Sequence, residues 1–367
     1  MQITTQNFTT ILLGILTSIA LVFVMHQLSS ILLPLIIALL LSNIFSPVAV
    51  FFRDRKFPTF IGLTSVLIIF ALVMSVLGLL LYSTIASFVS GLGTYQPKLM
   101  QMLVDLEFQA RQILGHFGTR IEDIPWQDAV KISSVAESVT SGLGTFLHFM
   151  ANVFIVLLYM MFILAASGQL TTKVRSAFKE DHALRIADII ENIDRQVRQY
   201  LLVKTLVSLL MGFITGVVLW ILGLDFPIMW GFLAFMLNYI PNVGGTIATV
   251  FPVILAVLQF DSWVMPLLVF LLPWLAHMAI GNVLEPRLMA NSLNLSALLV
   301  LISLLFWGWL WGIGGMILAV PLTATIKIIF ANIQALHPLS ILMGEEVPGK
   351  DSPKQGASAP LTESPAR

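Results

Sequence analysis

The residues that could do chemistry in this chain are few, and most of them gather at two interruptions of long apolar runs. The first is Asn238-Tyr239-Ile240-Pro241-Asn242-Val243-Gly244-Gly245, set between the apolar stretches Pro227–Leu237 and Thr246–Phe260. Asn side chains both donate and accept hydrogen bonds. Pro241 removes a backbone donor, while Gly244 and Gly245 permit a sharp turn and a close approach. Polar groups on broken backbone suit contact with a small polar solute. Asn238, Pro241, Asn242, Gly244 and Gly245 are therefore the candidate substrate-binding residues.

The second interruption is Gly281-Asn282-Val283-Leu284-Glu285-Pro286-Arg287. An ionisable group inside a membrane segment is costly unless paired, which makes it a functional candidate by default. Asn282, Glu285, Pro286 and Arg287 are the candidates for gating or coupling. A Glu-Pro-Arg at a helix junction also suits a structural clasp, and on the sequence Glu285 looks isolated in apolar surroundings. Further on, Gly312, Gly314 and Gly315 form a glycine hinge, with Pro321 following inside the next apolar stretch. Trp307, Trp309 and Trp311 are expected to act as interfacial anchors, with lining of a pore as the alternative. Gly308-x-x-x-Gly312 is a candidate close-packing face, within the chain or between chains.

Catalytic patterns are missing. There is no G-x-x-x-x-G-K-[ST] phosphate loop, no H-E-x-x-H pair among the six His, and no Cys for a thiol nucleophile or thiolate metal site. No enzymatic activity, cofactor or metal is expected.

These residues sit in a chain of 367 residues that is 58% hydrophobic and only 10% charged, with a mean hydropathy of +0.95. Soluble chains carry about 25% charged residues, so the class is a polytopic all-α membrane protein. A zero net charge offers no basic face for nucleic acid. A membrane helix needs about 20 mostly apolar residues. On that measure residues 1–90 hold the first three membrane helices, at 9–28, 30–50 and 60–89. Residues 91–144 form an extracytoplasmic helical insertion, and 145–166 are a further membrane helix. Residues 167–203 form a cytoplasmic amphipathic helix with Ile186, Ile189, Ile190, Ile193, Val197 and Tyr200 on one face. Residues 204–335 are a membrane core with broken helices, and 336–367 a largely disordered cytoplasmic tail.

Orientation follows from Lys and Arg near span ends. With the N-terminus inside, fourteen basic residues fall on the cytoplasmic side and four outside, Arg287 being unassigned. Both termini are expected in the cytoplasm. Two topologies fit the C-terminal half. In one, 227–260 and 296–330 are hairpins entering from opposite faces, with 264–281 spanning between them; in the other, each is one long kinked span. The hairpins are the preferred reading, because broken or re-entrant segments mark transporter binding sites.

The run from Trp230 to Gly244 resembles a signature of the autoinducer-2 exporter family. So do Gly281-Asn282-Val283-Leu284-Glu285-Pro286-Arg287-Leu288-Met289, the run Leu304–Gly312 and Val320-Pro321-Leu322-Thr323. The likeness extends in span order to about residue 335. It implies a bacterial inner-membrane protein with about eight membrane helices that forms homo-oligomers, pentamers among them. It also implies export of a small polar, autoinducer-2-like signal across the lipid bilayer. By matching motif, Asn238, Pro241 and Asn242 would line the substrate region, and Asn282, Glu285 and Arg287 would support gating or coupling. Sodium–proton antiport, which the same family includes, is the alternative, and a non-transporting membrane scaffold is a second.

Overall fold

Apolar runs of this length become helices because a bilayer offers the backbone no hydrogen-bonding partner, so each segment must satisfy its own amides. The computed structural model describes residues 5–115, 142–177, 180–241, 244–289 and 294–344. Among these residues there is no strand. Among them five helical segments are long and apolar enough to cross a membrane by length and composition, Ala297–Asn332 with its internal break included, and four shorter apolar helices accompany them. The protein is an all-α, multi-pass membrane protein.

The N-terminal half begins with α1 (Thr5–Gln27), α2 (Ser29–Asp54) and α3 (Thr59–Gly115). At 57 residues α3 is about 85 Å long, so it continues well beyond its apolar part, Phe60–Gly91. α4 (Gly142–Ala177) returns beside it. Ala38 of α2, Val66 and Phe70 of α3, and Val156, Met160 and Leu164 of α4 form one core where these three helices meet. α1 departs from this packing. From Leu12 to Leu21 its side chains are exposed, and only its last turns dock on the C-terminal half.

α5 (Glu180–Ile221) is a single helix of 42 residues, polar at its start and apolar from its middle onward. It runs from the base of one C-terminal hairpin to the base of the other. Near its start Arg185 donates to the carbonyl of Asn332, at 3.3 Å; its end leads through Gly223 into the next element.

That element is the first hairpin, α6 (Pro227–Leu237) and α7 (Gly244–Gln259). Its two ends are tied together: Gln259 donates to the Gly223 carbonyl at 2.7 Å and accepts from the Asp225 amide at 2.8 Å. The turn is tight enough that a Cβ on Gly244 would lie 1.8 Å from the Leu237 carbonyl oxygen. α6 crosses α5 at glycines. A Cβ on Gly212 would meet the Gly231 carbonyl oxygen at 2.7 Å, and one on Gly231 would meet the Gly212 carbonyl oxygen at the same distance. Such small-residue contacts bring membrane helices together where lipid supplies no hydrophobic drive.

The part of α3 beyond its apolar stretch braces this hairpin at its base. Tyr95 donates to the Asp225 carboxylate, and Lys98 pairs with Asp261 at 2.7 Å. Burial, then the hydrogen bond to Asp225 and its charge, keep the Tyr95 phenol protonated above its ordinary range.

α8 (Val264–Ala279) crosses back, opens into a π-helical turn at Ile280–Leu284 and closes with one more helical stretch, Glu285–Met289. α9 (Ala297–Asn332) follows and is not a straight rod. Trp311 (φ −133°, ψ 17°) and Gly312 (φ 63°, ψ −145°) break it. In a continuous helix Ser303 and Thr323 would stand about 30 Å apart, yet Thr323 donates to the Ser303 hydroxyl at 2.9 Å. Trp307 Nε1 in turn donates to Thr323 at 3.1 Å. α9 is therefore the second hairpin, with its reversal at Gly312. Its base is tied to the start of α5 and its tip lies against the C-terminal end of α1, where Trp311 Nε1 donates to the Met25 carbonyl at 3.1 Å. The two hairpins enter from opposite ends of α5, so of the two topologies this chain adopts the hairpins. A short α10 (His337–Leu342) ends the described chain, and Gly349–Arg367 lies outside the described residues.

Candidate solute site

The tip of the first hairpin meets α5 about 20 Å short of that helix's end at Ile221, deep among apolar helices. Asn238 is buried there and donates Nδ2 to the Ser208 hydroxyl at 3.0 Å. Tyr239 donates its phenol to Thr205 at 2.9 Å. One helical turn from Ser208, Lys204 reaches Glu285 of α8, Nζ to Oε1 at 2.5 Å. The Lys204 side chain is 3% exposed and that of Glu285 18%. A polar seam thus joins three elements at one depth: α5 supplies Lys204, Thr205 and Ser208, the hairpin tip supplies Asn238 and Tyr239, and α8 supplies Glu285.

The π-helical turn explains how α8 takes part. A π turn inserts an extra residue into a helix and rotates everything beyond it, which is why such turns recur at functional sites. Here it falls immediately before Glu285 and sets the direction in which that carboxylate leaves the helix.

Beside the seam, Met211, Thr215, Ala234, Asn238, Gly245, Ala248, Thr249, Pro273 and His277 enclose a small cavity with room for about one water molecule. Gly245 is the close approach that shapes it, since a Cβ there would lie 2.1 Å from the His277 ring.

The structure brings some of the sequence candidates together and leaves others apart. Asn238, Gly244 and Gly245 are buried at the tip, Pro241 is half-buried beside them, and Asn242 lies outside the described residues. Glu285 joins the seam. Asn282, Pro286 and Arg287 are exposed, and among the described residues Asn282 donates to the Met278 sulfur four residues earlier on its own helix. Glu285 is not isolated: its partner is Lys204, one of the fourteen basic residues that the charge distribution alone puts on the cytoplasmic side. The signal that would have found it is the helical spacing of Tyr200, Lys204, Ser208, Gly212 and Thr215, a polar and small stripe along an apolar helix.

In the second hairpin Gly312 makes the reversal and Gly314 packs on Leu33. Gly315 abuts the Trp307 carbonyl, and Pro321 is fully buried. Two of the three tryptophans depart from the anchoring expected of them. Trp307 and Trp311 are each 6% exposed with their indole N–H groups bonded internally, while Trp309 is exposed and stacks on His26. Gly308 receives Met316 of its own hairpin, so this glycine serves packing within the chain.

A broken-hairpin core of this kind points to transport, and comparison with known sequences agrees. Residues 12–335 match the model of the AI-2E family transporters. The chain belongs to the AI-2E transporter family. It is 31% identical over 334 residues to YhhT of Escherichia coli (strain K12), a protein named only provisionally for transport, covering 91% of this chain and 94% of that one. It is likewise 31% identical over 317 residues to the AI-2 transport protein TqsA of the same organism, covering 86% and 90%. A provisionally named transport protein of Borreliella burgdorferi is 34% identical over 207 residues, 56% of this chain and 57% of its own. This AI-2E family chain has its polar seam within the matched region, from Lys204 to Glu285.

Proposed function

We propose that the protein is a secondary transporter that exports a small polar, autoinducer-2-like signal molecule from the cytoplasm. In this reading it sits in the bacterial inner membrane with both termini in the cytoplasm, an orientation supported by the fourteen-to-four distribution of basic residues. The observation that carries the reading is the pairing of two oppositely inserted hairpins with a hydrogen-bonding seam at the tip of one of them, Asn238–Ser208 and Tyr239–Thr205. Irregular backbone at that depth persists only inside protein or against a cavity, and amide and hydroxyl groups there can exchange their partners for a solute's hydroxyls. The similarity to TqsA supports the choice of signal.

Purified protein in liposomes, loaded with autoinducer-2 and given a pH or sodium gradient, tests this directly. Gradient-driven release that is lost in Asn238→Ala supports export. Release no faster than from protein-free liposomes refutes it.

A sodium–proton antiporter is the second reading, favoured by the Lys204–Glu285 pair, because a buried carboxylate held by one lysine can exchange its partner for another cation. It predicts sodium-dependent proton flux without added solute, abolished in Glu285→Gln.

A further inference from the structure

The small cavity beside the seam contains a polar group for which the fold supplies no partner. Thr215 is 2% exposed, and its hydroxyl has no hydrogen-bond partner among the described residues. A buried hydroxyl left unpaired forfeits its hydration without compensation, so the position is unfavourable unless something else binds there. The other walls point the same way. Asn238 spends its amide nitrogen on Ser208, leaving its carbonyl oxygen as an acceptor. Thr249 donates to the Gly245 carbonyl at 2.8 Å, so its oxygen is left to accept. His277, packed on Gly245, adds a ring nitrogen from α8.

Four polar groups from α5, the first hairpin and α8 therefore converge on a space of about one water molecule. Threonine and histidine can donate, and asparagine and threonine oxygens can accept. Their common complement is a group that both donates and accepts and carries no charge. No carboxylate, lysine or arginine lines the cavity. A charged ligand group placed there would lose its hydration without gaining a counter-ion, the costliest kind of burial.

We propose that this cavity is a subsite that reads a single hydroxyl group of a neutral, hydroxylated solute, with Thr215 as its specificity-determining residue. The proposal rests on the transport reading and deepens it by naming the solute class and the residues that select it. Because the three walls belong to three different elements, filling the subsite also ties the hairpin tip to α5 and α8. The apolar neighbours Met211, Ala234, Ala248 and Pro273 set its size, so one hydroxyl fits and a bulkier polar group does not.

The test is equilibrium binding to the full-length protein in nanodiscs, using three four-carbon probes that differ in charge: erythritol, succinate and putrescine. The wild type is expected to bind erythritol in preference to the other two. Thr215→Val, which keeps the shape and deletes the hydroxyl, is expected to weaken erythritol binding about five- to twentyfold, while Thr215→Ser keeps it within about twofold. Thermal melting of each variant in the same nanodiscs separates lost binding from lost fold. Unchanged erythritol affinity in a folded Thr215→Val protein would mean that the cavity houses a structural water only, and would overturn the proposal. So would a preference for succinate or putrescine, or no erythritol binding by the wild type. Since the readout is binding, a protein that binds erythritol through Thr215 yet moves no solute sinks the transport reading alone. A protein that moves solute with Thr215→Val indistinguishable from wild type sinks the subsite alone.

Discussion

Lys204 and Glu285 stand 81 positions apart in the chain and 2.5 Å apart in space, Nζ to Oε1, with the lysine side chain almost wholly buried. The pair ties α5 to the segment just beyond the π turn of α8, beside the tip of the first hairpin. A buried ion pair is held together more by the cost of breaking it than by its own net stability.

That asymmetry gives the first prediction. Glu285→Gln leaves the buried Lys204 uncompensated and is expected to lower stability by about 3–5 kcal/mol, whereas Lys204→Met leaves the partly exposed Glu285 and is expected to cost less. The double variant is expected to recover most of the loss. A double-mutant cycle of unfolding in detergent measures this; additive losses would show that the two groups do not interact.

The second prediction concerns the reversal of α9. Gly312 has φ 63° and ψ −145°, and a Cβ placed there meets nothing within 4 Å. Gly312→Ala should therefore cost about 1–3 kcal/mol from backbone strain alone. Gly315→Ala should cost more, because its Cβ would lie 1.9 Å from the Trp307 carbonyl oxygen. Melting temperatures of the two variants should rank in that order.

Thr323 supports the same hairpin from within, accepting from Trp307 and donating to Ser303. Thr323→Val removes both bonds while keeping the shape, leaving the indole N–H without its partner, while Ser303 keeps its bond to the Leu299 carbonyl. A loss of about 1–3 kcal/mol is expected, with a shift in tryptophan emission as Trp307 changes its surroundings. Unaltered melting and emission would contradict the hairpin contact.

At the base of the first hairpin, Asp261 is exposed, and the hydrogen bond and then the positive charge of Lys98 hold its carboxyl below the ordinary value of 3.8. A depressed carboxylate contributes stability that is complete above the ordinary value and is lost as pH falls through the depressed one. Amide exchange of residues 259–261 should therefore quicken on acidification below about pH 4, beyond its intrinsic pH dependence. Asp261→Asn should remove that extra response, and raised salt should weaken it, since exposed pairs are screened.

The resemblance, the membrane class and the two breaks were legible in the sequence because each is a local property. An apolar run declares its own burial in lipid, and a cluster such as Asn238–Gly245 declares that a helix cannot pass through it. Glycine at Gly312 likewise announced a bend. Its angle was not legible, because a hinge and a full reversal need the same residue; only the meeting of Ser303 with Thr323 separates them. Trp307 and Trp311 misled for a related reason. Indole prefers the bilayer interface when nothing else offers its N–H a partner, but here the returning arm and the end of α1 do.

By itself, then, the sequence determined that this chain lives in a membrane, where its helices break and which side groups are polar at those breaks. Tertiary structure alone decided who those groups meet. Lys204 reads as one more cytoplasmic charge until α8 places Glu285 against it, and Thr215 as a minor helix residue until Gly245 and His277 close a cavity around its hydroxyl. The physical reason is that burial in lipid is set residue by residue, whereas pairing depends on helix crossings fixed by distant glycines such as Gly212 and Gly231.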